Sequence, residues 1–483
     1  MNTSRWETVI GLEVHCQLKT KSKLFSACGF VFGAEPNTQT DPYTWAHPGT
    51  LPVPNREAVR FAIRLALATS SDIQQRSRFA RKHYFYPDLP KGYQITQSDH
   101  PYCLGGHVVI PPGVRRPAKT VRLVRIHIEE DAGKNTHLAG KDISLVDYNR
   151  AGVPLLEIVS EPDIRSAQEA SAYMRELRAI VRYLAISHAN MEEGTLRCDA
   201  NVSLRVRGTQ AYGTRCEIKN LNSFKFLEAA INAEVRRQTA LLDDGGSVVQ
   251  CTMSYDTMKD CTRVMRTKEE AADYRYFPDP DLPPLNIDNA WIADERSRLP
   301  ELPAARRKRY AAMGLRDYDV DVLVGDPALA TFFDRTIALG GDAKKVCNWI
   351  TVELLARLKA DRKRIERSPV SPARMHELVA LVESGTISGR VAKELFDKIY
   401  REDLTPSEVM ARDGYQQMSD PNLLEELVTK VLANHPGQVE QYRRGKTKIR
   451  GFFVGQVMKR SEGQANPGMV NQLLDALLPK PEN

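Results

Sequence analysis

A chain of 483 residues is too long for one ordinary core, so roughly two to four domains are expected. Its 42% hydrophobic and 27% charged residues are those of a soluble globular protein, and no apolar run approaches the length of a membrane span. The net charge of +7 permits an acidic partner such as RNA without demanding one, and the eight scattered cysteines, with no CxxC, read as small core residues in a reducing compartment. The N-terminus MNTSRWETVIGLEV lacks the basic and apolar regions of a secretory signal, so a cytoplasmic location away from any membrane is expected.

From Glu7 the pattern is strand-like, with Ile10, Leu12, Val14, Cys16 and Leu18 on one face. Glu13 and His15 share the other face, two residues apart and thus side by side. A carboxylate and an imidazole aimed into one space suit a metal; a solvent-facing pair on an edge strand is the plainer alternative. Ser26 to Pro54 reads as a Gly/Pro-rich loop and Asn55 to Ala68 as a helix with Val59, Ile63 and Leu67 on one face. The stretch HYFYPDLPKGYQITQ, His83 to Gln97, reads as a rigid loop presenting Lys91, which suits a phosphate or stands as a solvated lysine.

Arg122 to Asp163 sets Glu129, Glu130, Asp131, Asp147, Glu157, Glu161 and Asp163 among apolar residues. Ile126 and Ile128 alternate with Arg125, His127 and Glu129, whereas Leu123-Val124 breaks that phase. The alternation favours Glu129 over Glu130 as the inward acid and leaves the choice open. Glu157 sits among Leu155, Leu156, Ile158 and Val159, a buried strand carrying one carboxylate. Buried carboxylates are costly unless paired or bound to a cation. Ion pairs with Arg122, Arg125, Lys134 or Arg150 would explain one such acid, but several on successive strands favour a hard-cation site.

Glu169 to Leu184 reads as an amphipathic helix, and TLRCDANVSLRVRGTQAYGTRCEIKN as a β-hairpin. Its polar face carries Arg197, Asp199, Asn201, Ser203 and Arg205, returning through Arg215, Glu217 and Lys219. Asp199 and Glu217 therefore join the other acids in one cleft or form routine cross-strand ion pairs. The proline-dense run from Pro278 to Leu285 marks a boundary, beyond which the texture is helical: Leu302–Met313, Ala343–Lys359, Pro372–Glu383, Ser388–Tyr400 and Asn422–Asn434. The last block is basic; Arg443, Arg444, Lys446, Lys448 and Arg450 form either a phosphate-contacting patch or a solvated helix face. The fold class is α+β, a β-rich cradle at 1–295 followed by a helical domain at 296–405 and a helical tail at 406–483. RRGKTK is no P-loop, because the earlier glycine would fall at Glu440.

ETVIGLEVHCQL, FGAEPNTQT, YFYPDLPKGYQITQ, HIEEDAGK, DYNRAGVPLLEIVSEPD, RCDANVS and CEIKNLNSF, with the C-terminal GFFVGQVMKRSEGQANP, resemble in order the B subunits of the aspartyl/glutamyl-tRNA amidotransferases, over nearly the whole chain. The resemblance implies an ATP-dependent carbon–nitrogen ligase acting in a heterotrimer. The amidase, or A, subunit releases ammonia from glutamine, and a small C subunit holds the other two together. The B subunit phosphorylates and amidates the side chain of Glu-tRNA(Gln) or Asp-tRNA(Asn). The resemblance further implies Glu13, His15, Glu129, Glu130 and Glu157 as catalytic Mg²⁺ ligands, with Mn²⁺ the alternative that imidazole suits. Lys91 and Arg150 would contact ATP phosphates, with Asp199 and Glu217 in support, and the basic tail would grip tRNA. Many members carry a zinc site in the first loop; here its positions read Ser26, Cys28, Asp41 and Thr44, so no structural zinc is expected and packing by Phe25, Trp45 and Pro48 must hold the loop. A tRNA-binding scaffold without chemistry of its own is the competing reading.

Overall fold

A computed structural model describes residues 5–113, 116–138, 140–267, 273–415, 420–461 and 465–478. Residues 462–464 of the GFFVGQVMKRSEGQANP stretch and the last five of the chain lie outside them. The chain forms two compact units, Met1–Arg306 and Arg307–Asn483.

The first unit is built on seven principal strands: β1 (Trp6–Gln17), β2 (Lys119–Glu130), β3 (Pro154–Ser160), β4 (Leu196–Val206), β5 (Cys216–Leu221), β6 (Cys251–Asp256) and β7 (Cys261–Thr267). In space they run β7-β6-β5-β4-β1-β3-β2, and short strands at Cys103–Leu104 and Asp72–Ile73 extend the sheet beyond β2. All pairings are antiparallel except β5 with β6. One face is apolar. Ile10, Leu12 and Val14 of β1, Ile126 and Ile128 of β2, and Leu156 and Ile158 of β3 are buried in one core with residues of three helices. These are α1 (Arg56–Ala68), α2 (Ala167–Tyr183) and α3 (Phe224–Asp243). Each helix starts where a side chain caps it: Asn55, Ser166 and Ser223 accept bonds from backbone N–H groups of the first turn.

Alternation then sends the polar residues of the same strands to the opposite face. The phase break at Leu123-Val124 is a bulge, since Arg125 pairs with Val159 but the next partner of the ladder is Leu123 with Ser160. It turns Arg125, His127 and Glu129 onto the polar face, whereas Val121 and Leu123 remain buried.

The proline-dense run lies within the first unit. Phe277–Pro278 pairs with Ala80–Arg81 and Leu285–Asn286 with Arg76–Ser77, edge positions that tolerate proline. Strands β6 and β7 and helix α3 were not anticipated from the sequence. In the second unit, all-helical as expected, the stretch expected as one helix from Ala343 to Lys359 is two helices joined by a π-helical turn at Trp349–Leu354. Leu424, Val428, Phe453, Val457, Val470 and Leu474 close a separate core among its last helices.

Candidate active site

The register of the sheet assembles the site. His15 on β1 lies opposite Glu157 on β3 and Arg197 on β4, and Glu157 lies opposite His127 on β2. One row of the polar face thus reads His127, Glu157, His15, Arg197. The next positions along the strands add Glu129, Glu13 and Asp199, the last two directly opposed.

The side chains converge on two imidazoles. His15 Nε2 lies 3.5 Å from Glu157 Oε2, 3.6 Å from Glu129 Oε1 and 3.9 Å from Glu13 Oε1. His127 Nε2 lies 3.2 Å from Glu157 Oε2 and 3.5 Å from Glu129 Oε2. Thr96 Oγ1 donates to Glu129 at 3.0 Å. Glu129, Glu157 and His127 are buried, and the Nδ1 of His127 has no partner, so that ring acts on the acids through Nε2 alone.

Electrostatics follow from this crowding. Burial favours the neutral form of Glu157, but His127 and His15 outweigh it and hold this carboxyl well below the usual range. Burial likewise works against charge on the imidazoles, yet Glu157 and Glu129 win, raising His15 and lifting His127 to about 9. Glu13 is pushed up, first by burial and then by Glu157. The carboxylates favour a proton on either imidazole, and a cation bound among the same side chains competes with those protons.

The donor set fits such an ion. Glu13, His15 and Glu157 form one group of ligand atoms within 4.8 Å of one another, and His127, Glu129 and Glu157 form another, with Glu157 shared. Three carboxylates satisfy a hard cation, and the imidazoles suit Mn²⁺ as well as Mg²⁺.

His15 and Glu129 of the cluster open into a cleft of about 810 Å³, lined also by Lys82, Arg150, Arg197 and Lys219, within the range of cofactor pockets. Lys82, on the strand Ala80–His83, is the cleft's distinctive cation: burial opposes its charge, but Glu129, Tyr276 and Glu157 raise its pKa.

Not every expected residue gathers here. Glu130 points away from the imidazoles: Lys91 forms a close ion pair with it, and the backbone N–H of Ile95 donates to it at 2.9 Å. Of the two acids left open by the sequence, Glu129 faces the imidazoles and Glu130 does not, because adjacent strand residues face opposite ways. The same pair occupies Lys91, whose ammonium also reaches the Tyr43 hydroxyl at 3.0 Å, so Lys91 is no free phosphate contact in this structure. Arg150 does line the cleft, anchored by the carbonyls of Ala132 and Gly133 at 2.9 and 2.6 Å and lying 3.5 Å from Asp131. Lys219 joins Asp199 at 2.6 Å and Glu217 at 2.8 Å, so both acids answer a lysine first.

His127, Lys82 and Arg197 were missed as site residues. His127 had a signal, the same strand parity as Glu129. Arg197 was placed on the correct face but not paired with Asp131, which it meets at 2.8 Å.

In the first loop a buried ammonium stands beside Cys28, Asp41 and Thr44. Lys23, 1% exposed, donates to Gln39 O at 2.9 Å, Thr44 Oγ1 at 3.3 Å and Tyr148 O at 3.3 Å. Asp41 accepts from the backbone N–H and hydroxyl of Thr44 at 2.8 and 2.7 Å, and the Cys28 N–H donates to Ser26 at 3.4 Å. Phe25 packs edge-on against Phe79 and Trp45 against Tyr148, so packing contributes, but the polar centre is Lys23.

In the second unit Arg443, Arg444, Lys446 and Lys448 are exposed around a single bend, with Arg444 near Glu440 at 3.1 Å. Arg450 differs: it is half-buried and holds Asp475 at 2.7 Å and the Asn471 carbonyl at 3.1 Å.

Residues 8–293 match the family of the GatB/GatE catalytic domain, and residues 331–478 match the GatB domain. Among similar proteins is the B subunit of an aspartyl/glutamyl-tRNA(Asn/Gln) amidotransferase from Solidesulfovibrio magneticus, 51% identical over 98% of this chain and 100% of its own. Those so named from Geobacter sulfurreducens and Alkalilimnicola ehrlichii are each 52% identical over 97% of this chain and 98% of theirs.

Proposed function

The chain belongs to the family of the GatB/GatE catalytic domain, and from that premise we propose that it amidates the side-chain carboxyl of Glu-tRNA(Gln) or Asp-tRNA(Asn), as an ATP-dependent ligase within a complex of several subunits. The single observation that carries this reading is the cluster of acids and imidazoles that meets the cleft through His15 and Glu129. A scaffold for an anionic partner has no use for carboxylates in its cleft.

A carboxylate resists ammonia because it is anionic and its leaving group is poor. A carboxylate oxygen first attacks the γ-phosphorus of ATP; the bond to the bridging oxygen breaks and ADP leaves with the electron pair. Ammonia then attacks the acyl carbon, the C–O bond breaks, phosphate leaves and one proton is released. The chain contributes position and charge. Glu13, His15, Glu129 and Glu157, with His127, would hold a divalent cation, Mg²⁺ or Mn²⁺, that offsets charge on phosphoryl oxygens. Lys82 and Arg197 supply fixed positive charge beside the cluster, and Arg150 is held by backbone carbonyls at the cleft wall. Glu130 and Lys91 act as a buried structural pair, and Asp199 and Glu217 set the position of Lys219.

The ammonia comes from the amidase, or A, subunit, and a small C subunit makes up the heterotrimer. The exposed Arg443, Arg444, Lys446 and Lys448 contact tRNA phosphates, and the second unit divides near residue 405 into a helical part and a tail with its own core. Cytoplasmic placement belongs to the same reading; among the described residues no helix is long and apolar enough to cross a membrane.

Glu13→Ala tests the claim against a scaffold role. In the assembled complex, amide formation should fall at least ~100-fold with aminoacyl-tRNA affinity kept within about twofold. Full activity in that variant would leave the cation cluster without a catalytic role.

A further inference from the structure

The cysteines are scattered in sequence, yet two of them meet in space. Strand β5 pairs with β6 in parallel, with Glu217 opposite Thr252. The residues just before these, Cys216 and Cys251, are therefore neighbours on the apolar face, against helix α3. Their sulfurs lie 3.6 Å apart. Two residues along β6 the same face carries Met253, whose Sδ lies 3.2 Å from Cys251 Sγ. Three sulfurs thus form one contiguous patch inside the core that Ile218, Leu227 and Ile231 share. The thiols of Cys28, Cys103 and Cys198 instead each donate to a backbone carbonyl.

A cationic donor also reaches the patch. Arg237 of α3 donates from Nη2 to Cys216 Sγ at 3.5 Å, and its guanidinium holds the buried Glu234 at 2.9 and 2.6 Å. Glu234 in turn accepts from Gln238 at 2.8 Å and from the Thr262 hydroxyl at 2.7 Å, so its oxygens are spent within this network. Burial, Glu234 and Cys251 push the Cys216 thiol up to about 12, with Arg237 acting the other way. At neutral pH Cys216 is therefore a thiol rather than a thiolate, and a poor nucleophile toward oxidants.

We propose that Cys216, Cys251 and Met253 bind one soft, low-coordinate cation, Cu(I). This site is separate from the amidation chemistry. The ligand set decides the class of ion, since thiolates with a thioether select a soft metal. Structural zinc takes four ligands; among the described residues no imidazole completes such a set here, and the carboxylate of Glu234 is already committed. The spacing fits as well. With metal–sulfur bonds of about 2.3 Å, three sulfurs around one ion stand about 4 Å apart, slightly wider than the contacts seen here. Binding releases both thiol protons, so one Cu(I) replaces two protons and the sulfurs keep a single net negative charge. Arg237 offsets that charge through its hydrogen bond to Cys216. Cys251 retains 9% exposure, which opens the site to solvent.

The test is an anaerobic titration of the full chain with Cu(I) against a chromogenic Cu(I) chelator. One ion per chain should be retained, and X-ray absorption should show three sulfur neighbours. Cys216→Ser and Cys251→Ser should each weaken retention at least ~100-fold, and Met253→Leu about tenfold with one sulfur fewer in the absorption spectrum. Cys28→Ser, which alters a thiol outside the patch, should leave the affinity within about twofold. Unfolding midpoints of the variants show whether each is folded. Retention unchanged in both serine variants, or a shell of two sulfurs or of nitrogen and oxygen in the unsubstituted chain, would overturn the proposal. So would loss of both thiols to a Cys216–Cys251 disulfide without bound copper. Should the serine variants fail to fold, the absorption spectrum of the unsubstituted chain, compared with that of Met253→Leu, still decides.

Discussion

Removing divalent cations should make the chain less stable as the pH rises from about 6.5 to 9. The cause is His127, whose pKa Glu157 and Glu129 raise, against burial, from 6.5 to about 9. A group bound more tightly to its proton in the folded state stabilises the fold below its unfolded value and loses that contribution as pH climbs through the folded value. The rise is worth roughly 3 kcal/mol at about 1.4 kcal/mol per unit. His15, also raised, adds in the same direction, whereas Glu157, held well below its ordinary range, changes stability only at acid pH. For a unit of this size the loss should lower the unfolding midpoint by roughly 5 °C. Mn²⁺ or Mg²⁺ reverses the trend, because the ion takes the place of the protons, and its apparent affinity should climb up to about tenfold per pH unit below 9. The assay is calorimetric unfolding at pH 6.5, 7.5 and 9 with chelator or with ion, beside Glu157→Gln, which removes the carboxylate that both imidazoles share. In that variant the slope with pH should largely vanish. A midpoint in chelator that is flat or rising over this window, or ion stabilisation independent of pH, would refute the charge-exchange account.

Breaking the buried pair should be costly: Lys91→Met strands Glu130, 2% exposed, and should destabilise the first unit by ~3–5 kcal/mol in chemical unfolding. Lys23→Met leaves two carbonyls and the Thr44 hydroxyl without their donor and should cost ~2 kcal/mol or more, read as a lower denaturation midpoint and early protease cleavage in residues 26–54. Neutralising Arg443, Arg444 and Lys446 together should reduce the salt dependence of tRNA binding by about two to three phosphate contacts, and an unaltered salt slope would remove the tail from the RNA interface. Arg450→Ala should instead lower stability of the last helices, since its guanidinium is committed to Asp475 and Asn471.

The strands that carry the site were legible because alternation is a local property. Glu13 with His15, Glu157 alone, and Asp199 with Glu217 each fell on the face that period-two spacing assigned them. Alternation also favoured Glu129 over Glu130, and the break at Leu123-Val124 is the bulge that sets that phase. Register was not legible. That His127 stands opposite Glu157, or Arg197 beside Asp131, depends on pairing between strands far apart in sequence, which no single strand reveals. Lys91 drew attention because prolines and aromatics frame its loop, yet the same rigidity delivers it to Glu130, whereas Lys82 enters the cleft from an inconspicuous strand. The proline run read as a boundary because it resists regular structure; two-residue edge strands need little regularity, and it pairs there.

The central claim, that this chain activates and amidates a tRNA-bound carboxyl at the cluster of Glu13, His15, Glu129 and Glu157 with His127, is tested most directly with ammonium chloride in place of glutamine, which removes dependence on the amidase. The complex is given ATP, Mg²⁺ and Glu-tRNA(Gln) or Asp-tRNA(Asn), and the aminoacyl product is identified after mild hydrolysis. The account predicts Gln-tRNA or Asn-tRNA formed with one ADP per amide, and loss of both products in Glu157→Gln. Amide formation that survives Glu157→Gln undiminished, or tight tRNA binding with no amide from either substrate, would contradict it.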